Sequence, residues 1–162
     1  MSMVVLEVPG VTGECGVKGF EGMILCESYT QDAEMEIDST TNQRRTMHVP
    51  KINNLSIDRK MDAASGLLLR KMLTGKVDIA DWRIHCLRSL GDDSTQQVEF
   101  LTIILNQPIL TKHEVNVNDG DTTERLEINA VQVTYNYQYF KSDQTKSGNL
   151  AFGYNTIAGT VI

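Results

Sequence analysis

His85-Cys86 is the pairing in this chain closest in type to a nucleophile beside its base. The two stand in the run Trp82, Arg83, Ile84, His85, Cys86, whose alternation reads as a strand with Trp82, Ile84 and Cys86 on one face. Neighbours on a strand point to opposite faces, so this pair cannot share a proton unless the strand breaks there. Cys86 is therefore expected in the core and His85 outside. His113-Glu114 meets the same objection, and His48 lies in or beside a long polar stretch, where a solvated or interface histidine is expected. Asp119, Asp121 and Glu124 are hard oxygen donors that could hold a calcium ion loosely, but the spacing of a calcium loop is missing and aspartates placed this way form turns. The glycines of GECGVKGFEG lack the strand-to-helix context of a dinucleotide site and read as turns. With no G-x-S-x-G, phosphate-binding glycine loop or H-E-x-x-H, the chain is not expected to be an enzyme or to use a cofactor or metal.

The elements that would position these groups are mostly strands. Leu55, Ile57 and Met61 alternate with Ser56, Asp58 and Lys60, the pattern of a strand with one buried face. Val98 to Leu105 is apolar in both phases and should be covered on two sides. In Arg125 to Tyr139, Leu126, Ile128 and Ala130 hold one phase, and Val131, Val133, Tyr135, Tyr137 and Tyr139 hold the other. A flip at Ala130-Val131 marks either a β-bulge or a strand leaving one packing environment for another. The row Tyr135, Tyr137, Tyr139 is expected to pack in a core or an interface rather than to form a ligand platform. From Asp62 to Thr74, Ala64, Leu67, Leu68 and Met72 recur at helical spacing, with Asp62 or Ser65 as N-cap and Gly75 as the stop. At about three turns this helix must pack on a sheet. Gln31 to Met47 reads as a long loop or a projecting hairpin, and the apolar tail Ala158 to Ile162 as cover for a sheet edge or a neighbouring subunit. The sum is a mainly antiparallel β domain of about seven or eight strands with one covering helix, built as a compact barrel or a two-sheet sandwich.

Composition bounds the function. With 162 residues, 41% of them hydrophobic, the chain can bury a core as one domain over residues 1–162. A formal charge of -6 argues against nucleic-acid partners, and the basic pairs Arg44-Arg45 and Arg70-Lys71 read as solvated. MSMVVLEVPG has no basic n-region and too short an apolar run for a signal peptide or membrane span, so synthesis in the cytoplasm without membrane insertion is expected. Cys15, Cys26 and Cys86 are odd in number and unclustered, as reduced thiols are.

Two blocks, VTGECGVKGFEGMIL at residues 11–25 and LSIDRKMDAASGLLLRKMLTGK at residues 55–76, stand in a telling order with the later runs EFLTIIL, VQVTYNY and GYN. A short apolar strand, a Gly-Glu turn, a Gly-rich charged stretch, a second strand, then a Leu-rich helix closed by Gly-Lys and a strand-rich tail resemble the Hcp family, the tube protein of bacterial type VI secretion. Cys15, Phe20, Met23 and Gly66 depart from the usual residues of that pattern. The resemblance implies a structural subunit that forms hexameric rings, which stack into an inner tube and are secreted. It further implies contact with the contractile sheath and the valine-glycine-repeat spike, and a lumen able to carry small effector proteins. By block alignment Ser28 and Thr30 would line the lumen, while Glu36, Asp38, Arg44 and Arg45 in the long loop would serve ring-to-ring contact. The alternative is a monomeric β-barrel that binds a small apolar ligand inside.

Overall fold

The structure is a computed structural model that describes residues 2–39, 45–89, 97–141, 143 and 145–162. The strands before the helix are β1 (Ser2–Glu7), β2 (Ile24–Cys26), β3 (Ser28–Thr30), β4 (Ala33–Glu34), β5 (Ile37–Ser39), β6 (Arg45–Met47), β7 (Lys51–Ile52) and β8 (Leu55–Lys60). Helix α1 (Ser65–Thr74) follows, then β9 (Trp82–Ser89), β10 (Gln97–Asn106), β11 (Ile109–Asn118), β12 (Asp121–Asn129), β13 (Gln132–Phe140), β14 (Lys146–Asn155) and β15 (Thr160–Val161). Gly91-Asp92-Asp93, turn formers by residue type, lie outside the described residues.

Seven strands form one sheet in the order β15-β14-β13-β10-β9-β1-β2, and four form a second in the order β11-β12-β8-β3. This is the mainly antiparallel, sandwich-like architecture with one helix that the alternation predicts. The strand count is higher than seven or eight, because segments as short as β2 and β3 carry too few residues to show a period. The two sheets exchange strands at two corners. Glu27 divides β2 from β3, and its N–H donates to Asp58 O at 2.9 Å, handing the chain from the larger sheet to the smaller. At the other corner β10 gives way to β11 through Gln107, at φ 49, and Pro108, while β12 gives way to β13 through Ala130-Val131. The flip of apolar phase is thus a change of sheet: Leu126, Ile128 and Ala130 enter the core from the smaller sheet, and Val133 from the larger. Of the two readings of that flip, the change of environment is the one observed.

The core between the sheets is filled by Leu6, Ile24, Trp82, Ile84, Ile103 and Leu105 against Leu55, Ile57, Leu126 and Ile128, with Leu68 of α1 closing it. Each such side chain, fully removed from water, contributes roughly 1.5–3 kcal/mol. Helix α1 packs on β11 as expected. Its C-terminal stop is Gly75 in the left-handed conformation, φ 64, with its N–H on Lys71 O and Met72 O. Its N-cap is neither Asp62 nor Ser65. Ala64 occupies that position with no side-chain cap; Asp62 instead binds the N–H of Ala64, and Ser65 Oγ that of Asp62, so both polar groups tighten the preceding turn. The run Val98 to Leu105 is not sealed on both faces: Ile103 and Leu105 are fully buried in the core and Ile104 on the outer face stays half-buried, while a bulge between Glu99 and Leu101 shifts half-buried Val98 into register with Arg88, in the phase of Cys86.

That outer face of the larger sheet carries a second, smaller core. Val5 and Leu87 are covered by Cys15, Val17, Phe20 and Met23 from the Gly-rich segment between β1 and β2. The segment folds back on itself through Gly13 N to Gly22 O, Cys15 N to Met23 O and Gly22 N to Cys15 O, at 2.8–3.0 Å. Gly13 is required there because a Cβ would collide with the Met23 backbone. Among the described residues, no helix is long and apolar enough to cross a membrane.

Candidate functional site

His85 and Cys86 do point to opposite faces of β9, but His85 is not outside. Its side chain is 9% exposed, because the Gly-rich segment lies over this face and sets the Phe20 ring 5.2 Å from the imidazole, tilted by 59°. Nδ1 lies 2.7 Å from Glu99 Oε1 and Nε2 lies 3.0 Å from Glu7 Oε2, while the Thr102 hydroxyl donates to Glu99 as well. Burial opposes charge on the ring, yet the hydrogen bonds and charges of Glu99 and Glu7 outweigh it and hold the pKa above the usual 6.5. Glu99 is likewise desolvated, but its bonds to His85 and Thr102 keep it below the ordinary carboxylate value. An imidazolium bridged at both nitrogens has no lone pair for a thiol proton or a metal. The arrangement ties β1, β9 and β10 together beneath the Gly-rich cover.

A second buried polar cluster centres on Arg59, which the alternation missed. The signal was present, since Arg59 follows Leu55 and Ile57 in the apolar phase of β8, and it is 1% exposed. Its guanidinium lies 2.8 Å from Glu124 Oε1 and 2.6 Å from Asp62 Oδ2, and donates to Leu25 O at 3.3 Å. Burial works against its charge, and the two carboxylates more than restore it. His113, 3% exposed, approaches Glu124 Oε2 at 3.3 Å from β11. Glu124 therefore faces inward and belongs to Arg59. Asp119 and Asp121 flank an exposed turn with φ 47 at Asp119 and φ 79 at Gly120, so the candidate calcium ligands are not brought together.

Cys15, Cys26 and Cys86 are free and buried. Burial pushes the Cys26 thiol up to about 12 and that of Cys86 up to about 11, so neither is a ready nucleophile.

Ser28 and Thr30 lie exposed on one face of β3, the edge strand of the smaller sheet, while Tyr29 between them packs toward the core. The polar run beyond them is a hairpin: β4 pairs with β7, β5 with β6, and His48 N donates to Glu36 O. Glu36 and Asp38 share one face, where His48 Nε2 meets Asp38 Oδ2 at 2.8 Å. Arg45 stands opposite Ser39, in the phase of the other face, and Arg44 lies outside the described residues. That other face is apolar and uncovered, with Met35, Ile37, Met47 and Val49 exposed by 41–69%.

The tyrosine row forms an open apolar surface on the β13–β14 pair. From buried Val133 the face emerges through half-buried Tyr135 to Tyr137 and Tyr139, while Phe152 and Leu150 lie opposite on β14. Tyr135 stacks on Phe152 at 5.1 Å, Tyr137 meets Phe100 edge-on at 6.5 Å, and the Tyr139 ring lies over Gly148. Four of these side chains remain 43–56% exposed. The C-terminal tail covers part of the β14 edge, with Ile162 exchanging both backbone bonds with Gly153.

Residues 5–141 match the family model described as type VI secretion system effector, Hcp. A search of curated proteins finds no match. Among solved structures, a type six secretion system protein superposes with TM-score 0.88 at 14% identity, over 100% of both chains. Hcp1 from Salmonella typhimurium gives 0.78 at 19% identity over 99% of each chain. A type VI secretion system effector from Yersinia pestis gives 0.70 at 18% identity over 94% of this chain and 98% of that one. At such identities the superpositions speak for the fold, and the family model, which spans most of the length, adds the lineage. The chain belongs to the Hcp family of type VI secretion proteins.

Proposed function

We propose that this protein is a structural, non-catalytic subunit of the type VI inner tube, one domain over residues 1–162, whose copies close into hexameric rings that stack and are expelled. The observation that carries this reading is the open aromatic face of β13 and β14. A strand face that leaves the core and keeps Tyr137, Tyr139, Leu150 and Phe152 in contact with water is the kind of patch that a neighbouring subunit hides. Head-to-tail packing of such a face against a different surface of the next copy closes into a ring. Ser28 and Thr30, exposed on an edge strand, are the candidates for a lumen that carries small effectors. The hairpin with Glu36, Asp38, Arg44 and Arg45 is the candidate for ring stacking. The contractile sheath and the valine-glycine-repeat spike are the further partners, and the route runs from the cytoplasm to the extracellular space or a target cell.

The alternative, a monomeric barrel with a ligand inside, is disfavoured by the interior itself, which Trp82, Ile84, Ile103, Leu105 and Leu126 fill. Light scattering on a sizing column, with negative stain of the same fraction, separates the two. A mass six times 18.1 kDa with annular particles is expected, and a monomer at every concentration would refute the tube.

A further inference from the structure

His85 touches the Gly-rich segment, residues 11–23, at both its root and its tip. The root is Glu7, the last residue of β1, whose carboxylate stands 3.0 Å from Nε2; the tip is Phe20, 5.2 Å away. Among the described residues, the backbone hydrogen bonds of the segment close on itself or on Val8, so side chains hold it to the sheet. Gly10 at φ 83 and Gly22 at φ 76 stand at its two ends, where the chain is free to turn. The charges around the imidazole are unequal. Glu99 of β10 is held twice, by Nδ1 and by the Thr102 hydroxyl, whereas Glu7 is paired with His85 alone. Arg83, on the same face of β9, stands directly across from Glu7 and has no ion pair of its own among the described residues. The segment's own charges are engaged elsewhere: Glu14 accepts from Ala63 N–H at 3.4 Å, and Glu21, with Lys18 beside it, accepts from Gly19 N–H at 3.0 Å.

We propose that His85 is a proton-operated latch for this segment: charged, it holds Glu7 and keeps the cover shut; neutral, it releases Glu7 to Arg83 and the cover lifts. With both ring nitrogens protonated, each carboxylate accepts one N–H. When one proton leaves to water, the remaining N–H stays at Nδ1, where Glu99 is fixed by Thr102, and Nε2 turns a lone pair toward the Glu7 oxygen. Lone pairs at 3.0 Å repel, and Glu7 swings to the guanidinium across the strand pair. Phe20 loses the positive charge beside its ring, and Cys15, Val17 and Met23 come away from Val5 and Leu87. The direction is set by the carboxylates that favour the charged ring: the cover is shut in acid and opens as pH rises past the ordinary histidine range. The latch lies within one chain and does not depend on the tube reading.

The test is amide hydrogen exchange of the full-length protein, read by mass spectrometry at about pH 5.5 and about pH 9 and divided by the intrinsic exchange rate at each pH. Protection of residues 11–23 should fall at least about tenfold at the higher pH, as the loss of one hydrogen bond to a charged group implies, while β9 and β10 keep theirs. Glu7→Gln should abolish the step, because its amide can donate to a neutral Nε2 and accept from a charged one. Arg83→Gln removes the second seat for Glu7 and should shrink the step; it serves as the second variant should Glu7→Gln fail to fold, which melting curves reveal. Equal protection at both pH values, a loss shared by β9 and β10, or a step unchanged in a folded variant overturns the latch. Light scattering runs alongside, and a change of mass accompanying the step would assign it to assembly and overturn the latch as well.

Discussion

Replacing His85 by leucine tests whether an ion bridge, and not simple packing, fastens the Gly-rich cover to the sheet. The imidazole is 9% exposed, and its two carboxylates, Glu7 and Glu99, are 33% and 31% exposed. A hydrogen bond to a charged group contributes about 1.5–3 kcal/mol, and the partial exposure of both acids places these two at the lower end, about 3 kcal/mol together. Leucine restores some apolar contact with Phe20, so a net loss of about 2 kcal/mol is expected below about pH 6. The pH dependence gives the sharper reading. Because the folded histidine titrates above its ordinary 6.5, its stabilisation is fully present below that value and is lost as pH rises through the folded pKa. Glu99, held low, stabilises above its ordinary 4.5 and loses this as pH falls further. Urea unfolding followed by Trp82, the single tryptophan, at fixed protein concentration from about pH 3 to 9 reads both limbs. The difference between wild type and His85→Leu should shrink toward zero at the alkaline end. A difference that is constant across that range would refute the bridge and leave only packing.

Arg59→Met removes the cation from between two inward-facing carboxylates, and about 3–5 kcal/mol of destabilisation is expected in the same urea assay, since Asp62 and Glu124 keep their burial. Gly13→Ala pushes a methyl into the Met23 backbone and should cost about 1–3 kcal/mol, read as a lower melting temperature with the fold retained by circular dichroism. Cys26 and Cys86 should react with an aromatic disulfide reagent only at the rate of unfolding at neutral pH, since burial lifts both thiols to about 12 and 11; immediate stoichiometric reaction would count against their placement. Thr30→Arg on the outward face of β3 should lower co-purification of a small cargo while leaving ring mass unchanged, and unaltered cargo would remove Thr30 from the lumen.

Period-two alternation exposed most of the sheet architecture, because a strand with one wet face must repeat every second residue. Trp82, Ile84 and Cys86 are buried together for that reason, and the flip at Ala130-Val131 marks the corner between the sheets. The polar clusters were not legible. Arg59 was passed over because a charged side chain interrupts an apolar phase, and its carboxylate Glu124 stands 65 positions away, visible only once β8 and β12 pair. His85 was read as solvent-facing because the segment that covers it is rich in glycine and carries no period of its own. The two lumen candidates and the hairpin residues came from block order alone, and the structure adds only their exposure and their faces.

Phase identifies which side of a strand avoids water, but it does not say where the covering surface comes from. For Leu126 and Ile128 the cover is the opposite sheet of the same chain, and burial is complete. Tyr137 and Tyr139 continue the apolar phase begun at Val133, with the same regularity, and stay 43–44% exposed. Met35, Ile37, Met47 and Val49 do the same on the hairpin. Both surfaces are built as core faces on strands that outrun the second layer, which is what separates a chain that completes its core in an assembly from one that completes it alone. Single polar substitutions at Tyr137 or Met47 should therefore cost little in an isolated chain, where the side chains are already wet, and much in any assembly that covers them.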